Sequence, residues 1–116
     1  MHIVHLDTMP KVKVQMQGAA GVLKQLPIGS AQGSPHFSFR VFNMEPGGYT
    51  PYHEHVAEHV NYIIEGQGAL VDQNGMEHSL KAGDFALVLP HEKHQYKNKS
   101  GDKPFVMICA VPKEYE

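Results

Sequence analysis

The stretch GGYTPYHEHVAEH, residues 47–59, places three histidines within seven residues. His53 and His55 would point to the same face of an extended chain, because successive side chains of a strand alternate between its two faces. His59 keeps that parity, so one strand could direct three imidazoles into one cavity. His94 would complete the set from a neighbouring strand. Imidazole is a frequent ligand of transition metals, so the spacing predicts a small β-barrel built around one metal ion.

Length and composition limit the classes of protein that the chain can represent. At 116 residues it is long enough for one core but not for two. We therefore expect a single domain over residues 1–116, with the barrel in residues 37–112 and an N-terminal strand and loop in residues 1–36. The hydrophobic share of 41% is low for a globular protein, which predicts that some interior positions hold polar ligands.

Charge and apolar runs exclude two kinds of partner. Ten basic and twelve acidic side chains give a net charge of −2, without the basic patch that nucleic acid requires. The longest apolar run, residues 85–89, is far too short to span a membrane, and no signal-peptide core is seen. The single cysteine, Cys109, fits a reducing compartment. We expect a cytoplasmic protein that binds neither nucleic acid nor membrane.

Short segments with strand patterns recur along the chain and predict an all-β fold. Residues 11–17 alternate strictly between apolar and polar side chains, as a half-buried strand does. Residues 37–48 begin as an aromatic and branched strand and end in a Glu-Pro-Gly-Gly turn. Asn-Gly at 74–75 predicts a two-residue hairpin. Residues 18–33 read as irregular, with one short strand near Val22. Many short strands with frequent turns indicate a sandwich or barrel.

Two segments resemble the paired motifs of the cupin superfamily. Residues 47–66 match the first motif, which is Gly, five residues, His-x-His, three residues, usually Glu, six residues and Gly. Residues 83–98 resemble the second motif, which is Gly, a Pro midway, His, three residues and Asn, although Pro90 lies one place late. Both motifs stand in the correct order. The resemblance implies a cupin-like jelly-roll β-barrel (double-stranded β-helix) around a metal ion.

His59 is the main departure from that pattern, because many cupins have a glutamate ligand at its position. The resemblance therefore implies a metal site of four histidines, His53, His55, His59 and His94. Four neutral imidazoles leave the +2 charge of a divalent ion uncompensated, which favours an anionic ligand. A six-coordinate ion would keep two positions free for a bidentate oxygen ligand. This favours Mn, Fe or Ni over a closed tetrahedral Zn.

Three further residues are candidates for the cavity. By parity, Asn61 faces inward if His59 does, and Tyr96 does so if His94 does. Tyr96 is the candidate catalytic residue, although a packed Tyr96 whose hydroxyl reaches the barrel mouth fits equally well. Asn61 and Arg40 are the candidate substrate-binding residues. Arg40 would hold a carboxylate with its planar fork, unless it lies on the solvent face.

A different metal chemistry also matches the same segment formally. Residues 55–59, His-Val-Ala-Glu-His, fit the H-x-x-E-H pattern of inverted zinc peptidases, in which both histidines lie on one helical face. Pro and Gly residues precede this segment and β-prone residues follow it, so a helix is not expected. Four other histidines are expected to be ordinary surface or hydrogen-bonded residues rather than ligands: His2, His5, His78 and His91.

The resemblance implies several functions rather than one. We expect a metal-dependent enzyme that acts on a small, oxygen-rich organic acid or enol, of dioxygenase, decarboxylase or isomerase type, with an oxidoreductase favoured. The alternative is a cupin that binds or senses a small ligand without converting it. A homodimer is expected, because small cupins commonly pair through their outer sheets. The strand at 11–17 and the alternating Val106, Ile108 and Ala110 would contribute to that surface.

Overall fold

Nine strands form one continuous antiparallel sheet in the computed structural model of the protein, which describes residues 1–116. The strands are β1 Val12–Lys13, β2 Ala20–Ile28, β3 Phe37–Tyr49, β4 His59–Glu65, β5 Gln67–Val71, β6 Glu77–Lys81, β7 Phe85–Val88, β8 Gln95–Lys97 and β9 Phe105–Pro112. The helical elements are three single 3-10 turns, at Leu6–Thr8, Ser30–Gln32 and Lys113–Tyr115. None of them is long and apolar enough to cross a membrane. The all-β expectation is confirmed.

The order of the strands is that of a curled jelly roll. The hydrogen-bonded path runs β6-β5-β8-β3-β9-β4-β7, and β2 joins the sheet by pairing with β3 and with β1. Most neighbours in the sheet are therefore distant in sequence, as jelly-roll connections require. The long strand β3 pairs with β2, β8 and β9. Because the sheet curls, β2, β3, β4, β8 and β9 all direct side chains into one cavity.

Alternation along the strands determines which residues face that cavity. Arg40 on β3, Cys109 on β9 and Asn61 on β4 form one inward row, because each is the register partner of the next. The inward row next to it contains Phe42 and Met107. Much of the interior is apolar, and its buried cluster, part of which lines the cavity, consists of Val22, Met44, Ile63, Tyr96, Phe105 and Met107.

The N-terminal region differs from the sequence expectation in three ways. The strand expected at 11–17 shortens to Val12–Lys13, and residues 14 and 16 line the cavity instead. The region expected to be irregular contains β2, a nine-residue strand. β3 continues through the turn expected at 45–48. The physical reason is a register shift between Ala20 and Val22, which lets Gly47 take a φ of +74° while the strand goes on.

The histidine segment is not one strand, contrary to expectation. Residues 54–58 are irregular, His53 forms an isolated bridge with His94, and β4 begins only at His59. The absence of any helix over 55–59 also excludes the inverted zinc-peptidase arrangement.

Two turns of the barrel have conformations that the local sequence explains. The hairpin at Asn74-Gly75 is confirmed, but its loop is longer than two residues, because the Asp72 carboxylate accepts the N–H groups of Asn74 and Met76 at 2.9 and 3.0 Å. Gly66, the last residue of the first motif, has a φ of +85°, and a Cβ there would lie 2.1 Å from a backbone oxygen of Pro104. Only glycine fits this position.

Candidate metal centre

Backbone pairing holds the histidine-bearing segments together. The His53 N–H donates to the His94 carbonyl at 3.1 Å, and the His94 N–H donates back at 3.0 Å. The His91 N–H donates to the His55 carbonyl at 2.8 Å, with His91 at a φ of +63°. His59 enters from the first position of β4. Three separate segments therefore place their imidazoles at one point.

The four rings form one group at the cavity wall. The nitrogens available in His53, His55 and His94 lie within 4.8 Å of one another. The ring centroid of His59 lies 4.9 Å from that of His55 and 5.0 Å from that of His94. The Nε2 atoms of His59 and His94 are 3.2 Å apart. The cluster of three histidines is thus present, and His59 lies against it.

Hydrogen bonds fix the tautomers of three of these rings. His55 Nδ1 and His94 Nδ1 lie 2.8 and 2.7 Å from backbone carbonyl oxygens. His59 Nδ1 lies 2.6 Å from the Asn61 side-chain oxygen. An amide oxygen can only accept, so each Nδ1 carries the proton and donates it. Each neutral ring is then left with a free lone pair on Nε2.

The contact between His59 and His94 is consequently one of two lone pairs. With both protons on Nδ1, no hydrogen lies between the two Nε2 atoms, and their partial negative charges repel. A cation between them would reverse the sign of this interaction. Two imidazoles bound at right angles to one ion, about 2.1 Å from each nitrogen, stand roughly 3 Å apart. The donor set and its spacing therefore fit a transition-metal ion.

Burial keeps these imidazoles neutral. It lowers the pKa of His59 to about 3, and the hydrogen bond that His59 donates to Asn61 offsets only part of the effect. Burial also lowers the pKa values of His94 and His53. Because a low-dielectric site disfavours the charged form, the rings are held in the state that binds a metal.

Asn61 and Tyr96 both face the cavity, as parity predicts, and they bind each other. The Tyr96 hydroxyl donates to Asn61 Oδ1 at 2.9 Å, so this oxygen accepts from Tyr96 and His59 together. The amide nitrogen of Asn61 contacts Met107 Sδ at 3.4 Å. Tyr96 is 4% exposed, and burial raises its pKa. Asn61 thus sets the orientation of His59, and Tyr96 supports Asn61.

The histidines open onto a cavity of about 440 Å³, which Arg40 also lines. The solvent-face alternative for Arg40 is therefore wrong. Its guanidinium donates to Cys109 Sγ at 2.9 Å and to the Tyr115 carbonyl at 3.2 Å, and lies 5.0 Å from the Phe42 ring centre. Its Nε is buried without a hydrogen-bond partner. No carboxylate forms an ion pair with Arg40.

Sequence reasoning missed a second cation in this cavity. Lys24 on β2 lines it, opposite Phe42 in the register. The residue escaped attention because its surroundings were expected to be irregular. The alternation of Val22 and Lys24 with Leu23 and Gln25 is the signal that could have found it.

Comparison with known sequences gives a family match and one partial relative. A family model described as the cupin domain matches residues 40–111. Gentisate 1,2 dioxygenase 1 from Aquipseudomonas alcaligenes is 31% identical over 66 residues, which are 57% of this chain and 19% of that protein. The chain thus aligns with about a fifth of the length of this curated relative.

Solved structures share the fold over nearly the whole chain. The polyketide cyclase RemF from Streptomyces resistomycificus superposes with a TM-score of 0.91 at 26% identity, covering 97% of this chain and 79% of that one. A protein described as a predicted oxalate decarboxylase from Thermotoga maritima gives a TM-score of 0.83 at 22% identity, covering 97% and 99%. The second similarity shows the fold alone.

Proposed function

Since the chain belongs to the cupin domain family, we propose that it is a metal-dependent enzyme acting on a small, oxygen-rich organic acid or enol. The reaction would be of dioxygenase or decarboxylase type. The proposed ligands of one divalent transition metal are His53, His55, His59 and His94. The observation that carries this proposal is the 3.2 Å approach of two Nε2 atoms whose rings both have Nδ1 occupied.

The charge of the site supports an anionic substrate. A bound divalent ion would supply positive charge that polarises a ligand oxygen. The four neutral imidazoles do not cancel that charge, so an anion is favoured in the remaining positions. Two such positions on a six-coordinate ion would accept a bidentate oxygen ligand, and for this reason we favour Mn, Fe or Ni over Zn.

Arg40 is the proposed residue for a substrate carboxylate. It is a cavity-lining cation without an ion pair, and its Nε has no partner. A buried donor without a partner is costly, and a planar carboxylate can accept two N–H bonds from a guanidinium. An anionic substrate would satisfy both the charge and the orphaned donor.

Asn61 and Tyr96 are proposed to act next to the histidines. One N–H of the Asn61 amide remains for a substrate oxygen, because its oxygen holds His59 and Tyr96 and its nitrogen contacts only a sulfur. The raised pKa of Tyr96 keeps its hydroxyl protonated. We propose that Tyr96 serves as a neutral hydrogen-bond donor to the reacting oxygen when its hydroxyl turns from Asn61.

A second candidate function is ligand binding without conversion. The Tyr96 hydroxyl is already engaged by Asn61, and the nearby carboxylates of Glu54 and Glu58 belong to exposed residues. Because neither Tyr96 nor these glutamates is free to act as an acid or base next to the histidines, a binding or sensing protein is the alternative. The two functions differ in whether a product forms from the bound ligand.

Metal analysis of the purified protein tests the proposal. We would measure metal per chain for the wild type, His59→Ala and the control His78→Ala, whose histidine is exposed and binds Asp72. We expect close to one Mn, Fe or Ni in the wild type and control, and less in His59→Ala. The loaded protein is then incubated with small oxo-acids and enols, with and without oxygen. A protein that takes up no metal after reconstitution would contradict the proposal and favour the binding function.

We also propose a homodimer, formed through the outer face of β3, β9, β4 and β7. Two parts of the surface expected from sequence do not contribute, because residues 14 and 16 line the cavity and Val106 is buried. The outward residues that remain in one cross-strand row are uncharged: Phe39, Ala110, Val60 and Leu87. A symmetric dimer can bury such a row against itself. A cytoplasmic location, with no nucleic-acid or membrane partner, completes the proposal.

A further inference from the structure

We propose that Lys24 and Arg40 together form an anion-binding subsite, and that the ligand of the cavity is an aromatic acid whose carboxylate lies there. Both cations stand on the wall made by β2 and β3. β4, which carries His59, is two strands away from β3 and three from β2. At about 4.8 Å per strand, this separates the cations from β4 by roughly 10 to 14 Å along the sheet.

Lys24 and Arg40 are neighbouring like charges, and Glu116 is the one carboxylate that attracts Lys24. Lys24 is only partly exposed and forms no ion pair, and burial together with the nearby Arg40 lowers its pKa. Glu116 is the one acidic residue in the cavity lining. Its carboxylate is bound to the Ser30 N–H and the Ser38 hydroxyl. One carboxylate does not balance two cations, so a ligand carboxylate would supply the second negative charge.

The wall beside the two cations is apolar and rich in methionine. Phe42 and Met107 lie in the row next to Arg40, and Met16 and Met44 line the same cavity. Thioether sulfurs make favourable contacts with aromatic rings, and the guanidinium already lies over a ring at 5.0 Å. A cavity of about 440 Å³ suits a ring-bearing ligand. A two-carbon diacid would leave most of this apolar wall facing water.

The two ends of the cavity define how such a ligand lies. Its carboxylate would bind Lys24 and Arg40, its ring would pack on Phe42 and Met107, and its oxygen substituents would face the histidines. This orientation rests on the proposed metal site, whereas the anion subsite itself does not require a metal.

Calorimetric titration with three probes tests the subsite. The probes are 2-naphthoate, its neutral analogue 2-naphthamide, and oxalate. We would titrate them into the wild type, Lys24→Met and the control Lys13→Met, whose lysine is exposed on β1. We expect the wild type and the control to bind 2-naphthoate more tightly than the other two probes. Lys24→Met should weaken 2-naphthoate about tenfold or more and leave 2-naphthamide unchanged.

Lys24→Arg separates lost charge from damaged folding. Because it keeps the cation, it should retain most of the 2-naphthoate affinity. Equal affinity of the wild type and Lys24→Met for 2-naphthoate would overturn the subsite, as would weakening by Lys24→Arg equal to that by Lys24→Met. Oxalate binding more tightly than 2-naphthoate would overturn the aromatic ligand.

The same titrations distinguish failure of the subsite from failure of the proposed function. Lys24-dependent binding of 2-naphthoate to chelator-treated protein supports the subsite even if the histidines hold no metal. Full metal content in a protein whose 2-naphthoate binding ignores Lys24 overturns the subsite and leaves the metal proposal standing.

Discussion

The two faces of the strands β3, β9, β4 and β7 differ in where their polar and apolar side chains lie. The inward face includes the polar row of Arg40, Cys109 and Asn61, whereas the adjacent outward positions are apolar. Leu87 and Phe39 on the outward face are 54% and 43% exposed. A one-layer antiparallel sheet usually buries its apolar face and exposes its polar one. Here one polar row lies inside a mostly apolar interior while apolar side chains lie outside, which favours a ligand site within the barrel and a protein surface on its exterior.

The largest effect is expected from a charge introduced on the outer face, which tests whether that face forms a protein interface. Leu87→Glu places a charge on β7 within the proposed dimer surface, where burial of an unpaired carboxylate is costly. We expect the particle mass from size exclusion with light scattering to fall to that of one chain. The matched control is Met76→Glu, because Met76 is 62% exposed but lies in the hairpin loop. A monomeric wild type would refute the assignment of the outer face.

A neighbouring pair of identical residues compares the two faces directly. Ile63 is fully buried in the core, and Ile64 is 37% exposed. We expect Ile63→Ala to lower the free energy of unfolding by about 2–5 kcal/mol. Ile64→Ala should cost less than about 1 kcal/mol, because much of its side chain is already in water. Urea denaturation of both variants measures the difference. Equal losses would show that the parity of β4 is misassigned.

Asn61→Leu tests whether the polar side chain of Asn61 affects metal binding by orienting His59. The variant removes the oxygen that accepts from His59 Nδ1 and from the Tyr96 hydroxyl. Loss of such an orienting partner lowers metal affinity by about 10- to 100-fold. Competition with a chelating dye measures the affinity, and His59→Ala gives the limit for loss of the ligand itself. Unchanged affinity in Asn61→Leu would contradict the positioning role.

A smaller effect is expected from pH on the metal-free protein. The pKa of His59 falls from 6.5 in the unfolded chain to about 3 in the folded state. The unfolded chain therefore takes up the proton first, so stability is full above pH 6.5 and declines as pH falls towards 3. The slope for one group is at most about 1.4 kcal/mol per pH unit. Urea midpoints between pH 7.5 and 4.5 should shift less in His59→Gln than in the wild type, and equal shifts would exclude His59 as the source.

The histidine cluster was predictable because its spacing carries chemical information. The two motif segments predict the jelly roll and bring His94 to the other histidines, and the structure confirms both. The parity argument also placed Asn61 and Tyr96 inside. The single strand expected to carry His53, His55 and His59 does not exist, since residues 54–58 are irregular. The histidines converge because the pairing of His53 with His94 replaces that strand.

The positions of Lys24 and Arg40 on β2 and β3 were less predictable, because they depend on pairing between residues that are distant in sequence. β2 contains Gly21 and Pro27, which local propensity disfavours in strands, and it forms by pairing with β3. From the sequence alone, Lys24 is therefore expected in a loop. The pairing of β2 with β3 places it opposite Phe42. The sequence left Arg40 open between two faces, because its strand offered no anchor for parity. The register that places Arg40 in one row with Cys109 and Asn61 shows that its side chain faces the cavity.

The oxygen acceptors on three imidazole Nδ1 atoms have a consequence for the choice of ion at the proposed metal site. They hold the rings of His55, His59 and His94 in place from the protein side, so the template exists before any ion arrives. Divalent ions with similar radii can bind at the same preformed site. The relative supply of these ions then determines which one is bound as much as the fold does. We expect one polypeptide to yield several interchangeable metalloforms, whose proportions follow the growth medium.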